Sequence, residues 1–311
     1  MTPTLLLTGA KGQLGQTIQK YWSDNELKQH FELFGVDIED LELTDRVALQ
    51  TYLDQLRPDI IVNAAAYTAV DRAEEEKVLA FAVNTEVVES LARWCQTNQA
   101  IMIHISTDFV FDGKSSVPYS EEAETNPLSV YGASKLTGEN RLQTLLPQSS
   151  AIIRTSWLYS EYGSNFVKTM LRLMNRRDSL GVVGDQIGSP TSTHTLTKVV
   201  FRVIECGYMG ILHWHDGGEI SWYEFAMAIQ QAGLSSGLLK QSIPLISLAT
   251  AEYPTTASRP AYSVLDRSKA LALLDWIPDS WRTELSRVVL LLAEGAGSED
   301  VKEEWLTANG T

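Results

Sequence analysis

Tyr131-Gly132-Ala133-Ser134-Lys135 sets a phenol and an ammonium four residues apart, which on a helix puts both on one face. A free phenol titrates at about 10, so a tyrosine that gives and takes protons near neutrality needs a cation beside it to stabilise its phenolate. Lys135 is spaced to supply that cation and to hold a nicotinamide ribose. Upstream, an apolar run delivers His104-Ile105-Ser106-Thr107-Asp108, where the Thr107 hydroxyl is placed to hydrogen-bond a substrate carbonyl oxygen while Tyr131 protonates it. A Tyr-x-x-x-Lys pair alone is most often two surface residues. Found with a strand-end hydroxyl and a nucleotide-binding turn in order along one chain, it reads as a carbonyl-reducing site.

That turn is Thr8-Gly9-Ala10-Lys11-Gly12-Gln13-Leu14-Gly15, with glycines spaced GxxGxxG between a first strand and the helix it opens. Gly9, Gly12 and Gly15 allow a tight bend and a backbone bare enough to approach a pyrophosphate, which the free N–H groups of a helix start attract. The second strand, Leu33-Phe34-Gly35-Val36, ends in Asp37, a carboxylate placed to accept the adenosine ribose hydroxyls and to disfavour a 2′-phosphate. Asp37 therefore argues for NADH, although a basic neighbour would admit NADPH.

Positioning these residues requires a parallel α/β sheet with ligands at the carboxyl ends of its strands. Short apolar runs predict strands at Thr4–Leu7, Phe31–Val36, Ile60–Asn63, Ile101–Ser106 and Ala151–Thr155. Amphipathic stretches predict helices near Leu14–Trp22, Arg46–Leu56, Val78–Thr97 and Ser129–Leu145. The alternation implies a doubly wound, Rossmann-like dinucleotide domain over residues 1–156. Past Trp157, Gly- and Pro-bearing turns mark a smaller substrate-binding lobe over residues 157–190 and 216–293. Between its two parts, a segment at about 191–215 is expected to return to the main sheet through Gly210–His215, and residues 294–311 read as a weakly ordered acidic tail. His213-Trp214-His215-Asp216 offers no third metal ligand and reads as core or surface histidine, while Glu74-Glu75-Glu76 reads as a solvated helix start.

The 311 residues carry 25 Lys plus Arg against 39 Asp plus Glu, a formal charge of −14. Such a chain has no broad attraction for nucleic acid or for an anionic membrane surface. No apolar run reaches the ~20 residues of a bilayer helix, and Met1-Thr2-Pro3 leads into Leu5-Leu6-Leu7 without a basic segment, so neither a membrane span nor export is expected. Cys95 and Cys206, without metal-ligand spacing, fit packing in a reducing cytoplasm.

The GxxGxxG spacing, with Asn63-Ala64-Ala65-Ala66-Tyr67-Thr68 after the third strand, resembles the extended short-chain dehydrogenase/reductases. More narrowly, Ser106-Thr107-Asp108-Phe109-Val110-Phe111-Asp112-Gly113, Arg154-Thr155-Ser156-Trp157-Leu158-Tyr159 and Gly184-Asp185-Gln186-Ile187-Gly188-Ser189-Pro190-Thr191 resemble the dTDP-4-dehydrorhamnose reductase family. The resemblance implies NADPH- or NADH-dependent reduction of dTDP-4-dehydro-β-L-rhamnose to dTDP-L-rhamnose, with hydride delivered to C4. It makes Tyr131 the proton donor, Lys135 its helper and Thr107 the hydroxyl that tunes the site. Gly12, Gln13, Leu14, Asp37, Glu42, Leu43, Ala64, Ala65, Ala66, Tyr67 and Thr68 would line the dinucleotide. Thr107, Asp108 and Trp157 would meet the sugar, the indole covering the apolar face of a deoxyhexose. Arg259, beside Pro260, suits the diphosphate because guanidinium matches phosphate oxygens in bidentate geometry.

Some members of the family hold an interface magnesium on glutamates at positions matched here by Thr17 and His194, neither of them a carboxylate, so no metal is expected. A cytoplasmic homodimer is expected. Two other functions stay open. One is reduction of a different nucleotide 4-keto-6-deoxy sugar, and the other is a non-catalytic role, since the regulatory β subunit of methionine adenosyltransferase resembles the same family.

Overall fold

Leu5, Leu6 and Leu7 are all buried because the strand that carries them, β1 (Thr4–Thr8), lies between two helical layers. Leu5 and Leu7 pack toward one layer and Leu6 toward the other, as a two-residue period dictates. The computed structural model describes residues 2–295. After β1 come α1 (Gln13–Trp22), β2 (Glu32–Val36), α2 (Arg46–Leu56), β3 (Ile60–Asn63), the short α3 (Val70–Ala73) and α4 (Lys77–Phe81), and α5 (Val87–Asn98). The chain continues through β4 (Ile101–Thr107), α6 (Val130–Leu145), β5 (Ser150–Thr155), β6 (Leu158–Tyr159), α7 (Phe166–Met174), β7 (Leu180–Val183), β8 (Ile187–Gly188) and β9 (Thr191–Ser192). It closes with α8 (Thr193–Cys206), β10 (Gly210–Trp214), β11 (Ile220–Ser221), α9 (Trp222–Ser235), β12 (Leu245–Leu248), α10 (Ser268–Leu273) and α11 (Trp281–Gly295).

Six of the strands form one parallel sheet in the order β10-β5-β4-β3-β1-β2. The winding direction reverses between β1 and β3, which opens a crevice at their carboxyl ends where such sheets bind ligands. One face of the sheet packs Ile18 of α1 and Leu196, Val199 and Val200 of α8; the other packs Leu49 and Leu53 of α2 and Val88 and Leu91 of α5. A separate apolar cluster joins α7, α9 and α11 through Val167, Leu171, Phe225, Ile229, Leu285 and Val288. β10 pairs with β5 from Gly210 to Trp214, so the chain does come back to the main sheet after an excursion.

Two expectations change. The helix expected over Val78–Thr97 is α4, a π-helical turn at Ala82–Glu86, and then α5. The acidic run is not simply solvated: Glu74 Oε1 accepts the Val130 N–H at 2.8 Å, and Glu76 holds the Tyr67 hydroxyl at 2.6 Å and Arg72. His213 and His215 are core histidines, with Nδ1 of the first 3.0 Å from the Tyr119 carbonyl and Nε2 of the second 2.8 Å from that of Leu265. Among the described residues no group of three or more His, Cys, Asp or Glu is placed to hold a metal ion, and no helix is long and apolar enough to cross a membrane. Of the tail expected from residue 294, residues 296–311 lie outside the described part.

Candidate active site

The glycine turn lies directly against the segment that leaves β3. Gly9 has φ 70°, and a Cβ there would stand 2.7 Å from the Ala65 nitrogen; one on Gly15 would stand 2.1 Å from the Gly9 carbonyl oxygen. Only glycine permits both approaches. α1 begins after Gly12 with no side-chain cap, leaving its first N–H groups free for an anion. This bare, uncapped cradle fits a dinucleotide pyrophosphate.

Around it the expected cofactor residues divide. Asp37 braces the turn, Oδ2 accepting the Lys11 N–H at 2.7 Å and Oδ1 its neighbour's N–H at 2.8 Å, with lone pairs to spare for a ribose. Ala64, Ala65, Ala66 and Tyr67 are partly exposed after β3 and Thr68 is exposed. Leu14 is buried and Leu43 packs on the core beneath α2 and α5, so Leu14 offers the crevice its backbone only. Gln13 turns its side chain elsewhere: Oε1 accepts from the Ser160 hydroxyl at 3.1 Å and from Asn165 Nδ2 at 2.9 Å. Exposed Glu42 accepts from the Thr44 hydroxyl at 2.7 Å.

α6 carries Tyr131 and Lys135 and packs through a face of Gly132, Ser134, Lys135, Gly138, Glu139 and Leu142. Polar and small residues dominate that face because backbone meets backbone. A Cβ on Gly132 would lie 2.2 Å from the Phe109 carbonyl oxygen, and one on Gly138 2.2 Å from that of Asn84. Ser129 caps the helix by accepting the Gly132 N–H at 3.2 Å. The result sets Tyr131 edge-on to Phe109, ring centroids 5.6 Å apart, and one helical turn before Lys135. Burial pushes the Tyr131 phenol up to about 12, against the pull of Thr107. Burial likewise pushes Lys135 down to about 8; its ammonium group donates to the Ile105 carbonyl at 2.7 Å.

Asp108, expected to meet the sugar, is buried, and Oδ1 accepts from the Thr107 hydroxyl at 3.1 Å while Oδ2 has no partner. Burial pushes this carboxyl up to about 6. An orphaned buried oxygen is costly, and a hydroxyl-bearing ligand would satisfy it. Trp157, just past β5, stacks on Trp222 with centroids 3.6 Å apart and has φ 46°. The other non-glycine residues with positive φ, Arg57 and Gln99, merely end α2 and α5. Trp157 ends no helix, and such strain concentrates at ligand clamps. Arg259, expected at the diphosphate, is held by Asp71 in bidentate fashion at 3.1 and 2.6 Å. At the two positions matched to the interface magnesium, Thr17 bonds Thr193 at 2.7 Å, and His194 sits between the Tyr21 hydroxyl at 3.1 Å and Glu161 at 2.8 Å.

Sequence reasoning missed His104, Asn84 and Glu74. Asn84 clamps the cofactor loop to α6, accepting the Tyr67 N–H at 2.9 Å and donating to the Tyr67 carbonyl and the Ser134 hydroxyl, both at 3.0 Å. The only local signal was an amide on the inward side of an otherwise apolar helix.

A parallel sheet with a glycine turn at its switch point and a Tyr–Lys helix alongside defines the class of nicotinamide-dependent short-chain dehydrogenase/reductases. Residues 3–293 match the family described as RmlD substrate binding domain. The chain is 42% identical over 291 residues to a dTDP-4-dehydrorhamnose reductase of Aggregatibacter actinomycetemcomitans, covering 91% of this chain and 97% of that one. A crystal structure of a dTDP-4-dehydrorhamnose reductase from Clostridium acetobutylicum matches with TM-score 0.86 at 39% identity, covering 93% and 99% of the two chains. Another, from Bacillus anthracis in complex with NADP, matches with TM-score 0.85 at 34% identity, covering 94% and 100%. The chain belongs to the dTDP-4-dehydrorhamnose reductase family and is an NAD(P)H-dependent oxidoreductase.

Proposed function

We propose that the chain reduces dTDP-4-dehydro-β-L-rhamnose to dTDP-L-rhamnose, in the cytoplasm and as a homodimer. The observation that carries this reading is a sheet that sets Thr107 at the end of β4, Tyr131 and Lys135 one turn apart on α6, and an uncapped glycine turn after β1. When bound, the nicotinamide supplies the hydride for C4. Tyr131 gives its phenolic proton to the sugar oxygen as negative charge develops there, a downhill transfer because an alkoxide is a stronger base than a phenolate. Lys135 stabilises the phenolate left behind and holds the ribose. Thr107 orients the reacting oxygen, Asp108 Oδ2 accepts a sugar hydroxyl, and Trp157 covers the apolar face of the ring. Arg259 addresses the diphosphate with the N–H groups that Asp71 and the Ala257 carbonyl leave over. Residues 1–156 with the return segment hold the dinucleotide, and the lobe around α7, α9 and α11 holds the nucleotide sugar.

The test mixes purified chain, NADPH or NADH, and the keto sugar made in situ. Nucleotide oxidation is expected, with the L-rhamno configuration at C4 by NMR. Tyr131→Phe is expected to lower kcat roughly 10²- to 10⁴-fold while nucleotide binding persists. Full activity in that variant overturns the proton donor, and turnover confined to UDP or GDP keto sugars overturns the substrate.

A further inference from the structure

A buried line of polar side chains leads away from Lys135, and no step above uses it. Lys135 Nζ lies 3.3 Å from His104 Nε2, and His104 Nδ1 lies 3.1 Å from Asn63 Nδ2. Asn63 Oδ1 accepts from the Thr8 hydroxyl at 2.6 Å, and Thr8 Oγ1 accepts the Ala65 N–H at 3.4 Å. Lys135, His104, Asn63 and Thr8 are each at most 2% exposed. The line thus crosses from α6 through β4, β3 and β1 and ends on the loop against which the glycine turn packs.

Along a line buried this deeply every hydrogen is best spent on a partner, and a neutral imidazole offers one donor and one acceptor. As a free amine, Lys135 has a lone pair that His104 Nε2–H can meet; Nδ1 is then bare and accepts from Asn63 Nδ2, the amide atom that faces it. As an ammonium, Lys135 only donates. Nε2 must then be bare, the ring proton sits on Nδ1, and Asn63 must offer it Oδ1 and turn Nδ2 to the Thr8 oxygen. Passing from amine to ammonium adds one proton to Lys135 and none to the ring, whose own proton changes nitrogen. Burial and the facing Lys135 hold His104 well below the usual histidine range, so the ring is neutral in both arrangements.

The charged and titratable neighbours are few. Glu139, on α6, is paired with Arg154 of β5 at 2.7 Å, and Arg154 in turn faces His213 of β10. Tyr131 and Asp108 stand at the substrate side, while Thr8 of β1, Asn63 of β3, and Asn84 and Thr85 of the π-helical turn are polar but not titratable.

We propose that His104 is a positioning residue: its neutral imidazole holds Lys135 and, by the nitrogen that carries its proton, matches the lysine's charge state to the Asn63–Thr8 pair beneath the dinucleotide turn. The inference rests on Lys135 serving as the cation of Tyr131.

The full chain labelled with ¹⁵N-histidine reports the tautomer directly from imidazole nitrogen shifts, with no ligand needed. Between about pH 6 and pH 10, His104 is expected to stay neutral and to pass from Nδ1–H to Nε2–H as Lys135 loses its proton. One tautomer throughout, or a protonated ring at the acidic end, overturns the proposal. In the second arm, His104→Gln keeps an amide at the Nε2 position, whereas His104→Asn reaches only the Nδ1 position. Removing the lysine's acceptor disfavours the ammonium, so His104→Asn is expected to move the alkaline limb of kcat down by about one to two pH units, and His104→Gln to leave it near the parent's. Limbs that coincide, or that move alike in both variants, overturn it. A parent inactive on every keto sugar would sink the proposed function instead, and the tautomer measurement would still decide this one.

Discussion

Asp108 is poised to make the site pH-dependent. Burial raises its carboxyl to about 6, so as the pH falls through that value the group takes up a proton and Oδ2 loses the charge that makes it a strong acceptor. kcat/KM for the nucleotide sugar is therefore expected to fall on the acid side of about pH 6. Asp108→Asn should flatten that limb at a level roughly tenfold or more below the parent. An unchanged limb in the variant would assign it to another group. Tyr131, Lys135, Thr107 and Asp108 could be proposed from the sequence because their spacing along the chain suggests a chemistry. His104 could not: between Ile103 and Ile105 it looks like a tolerated core histidine, and its meaning comes from Lys135 and Asn63, which the fold brings in from other elements.

At the scale of elements, the strands were readable to within a residue or so because parallel strands buried on both faces are continuous apolar runs. The expected long helix was not, because its π-helical turn answers to partners around Tyr67 and Ser134 rather than to its own periodicity. α6 shows the same dependence on distant contacts. Its glycines let it sit on the Phe109 and Asn84 carbonyls, and Gly132→Ala would drive a methyl to 2.2 Å from the first. The helix must then retreat by a good fraction of an ångström. Activity is expected to drop by about 10²-fold, since displacements of that order misalign reacting groups. Thermal unfolding and turnover measured together test this, and a fully active, equally stable variant would show that α6 does not set the position of Tyr131.

The whole molecule carries a formal charge of −14, yet both proposed ligands are anions. Their long-range approach is opposed rather than steered, and local donors must win at contact. Raising ionic strength from about 10 to about 150 mM shortens the screening length to ~8 Å and is expected to raise kcat/KM for the nucleotide sugar, the reverse of a basic funnel. A fall with added salt would place a dominant positive field around the crevice. The return of β10 to the sheet was legible from its apolar run, whereas the side-chain ties between the sheet's crevice and the rest of the molecule were not, since each joins residues more than a hundred positions apart. Two such ties are Gln13 with Ser160 and Asn165, at the entry to α7, and Asp71 with Arg259. They already join the glycine turn and α3 to segments beyond β5 in the unliganded chain. The ordering entropy that a loosely hung lobe would surrender on binding has here been surrendered during folding, so more of each contact's free energy is left to appear as affinity.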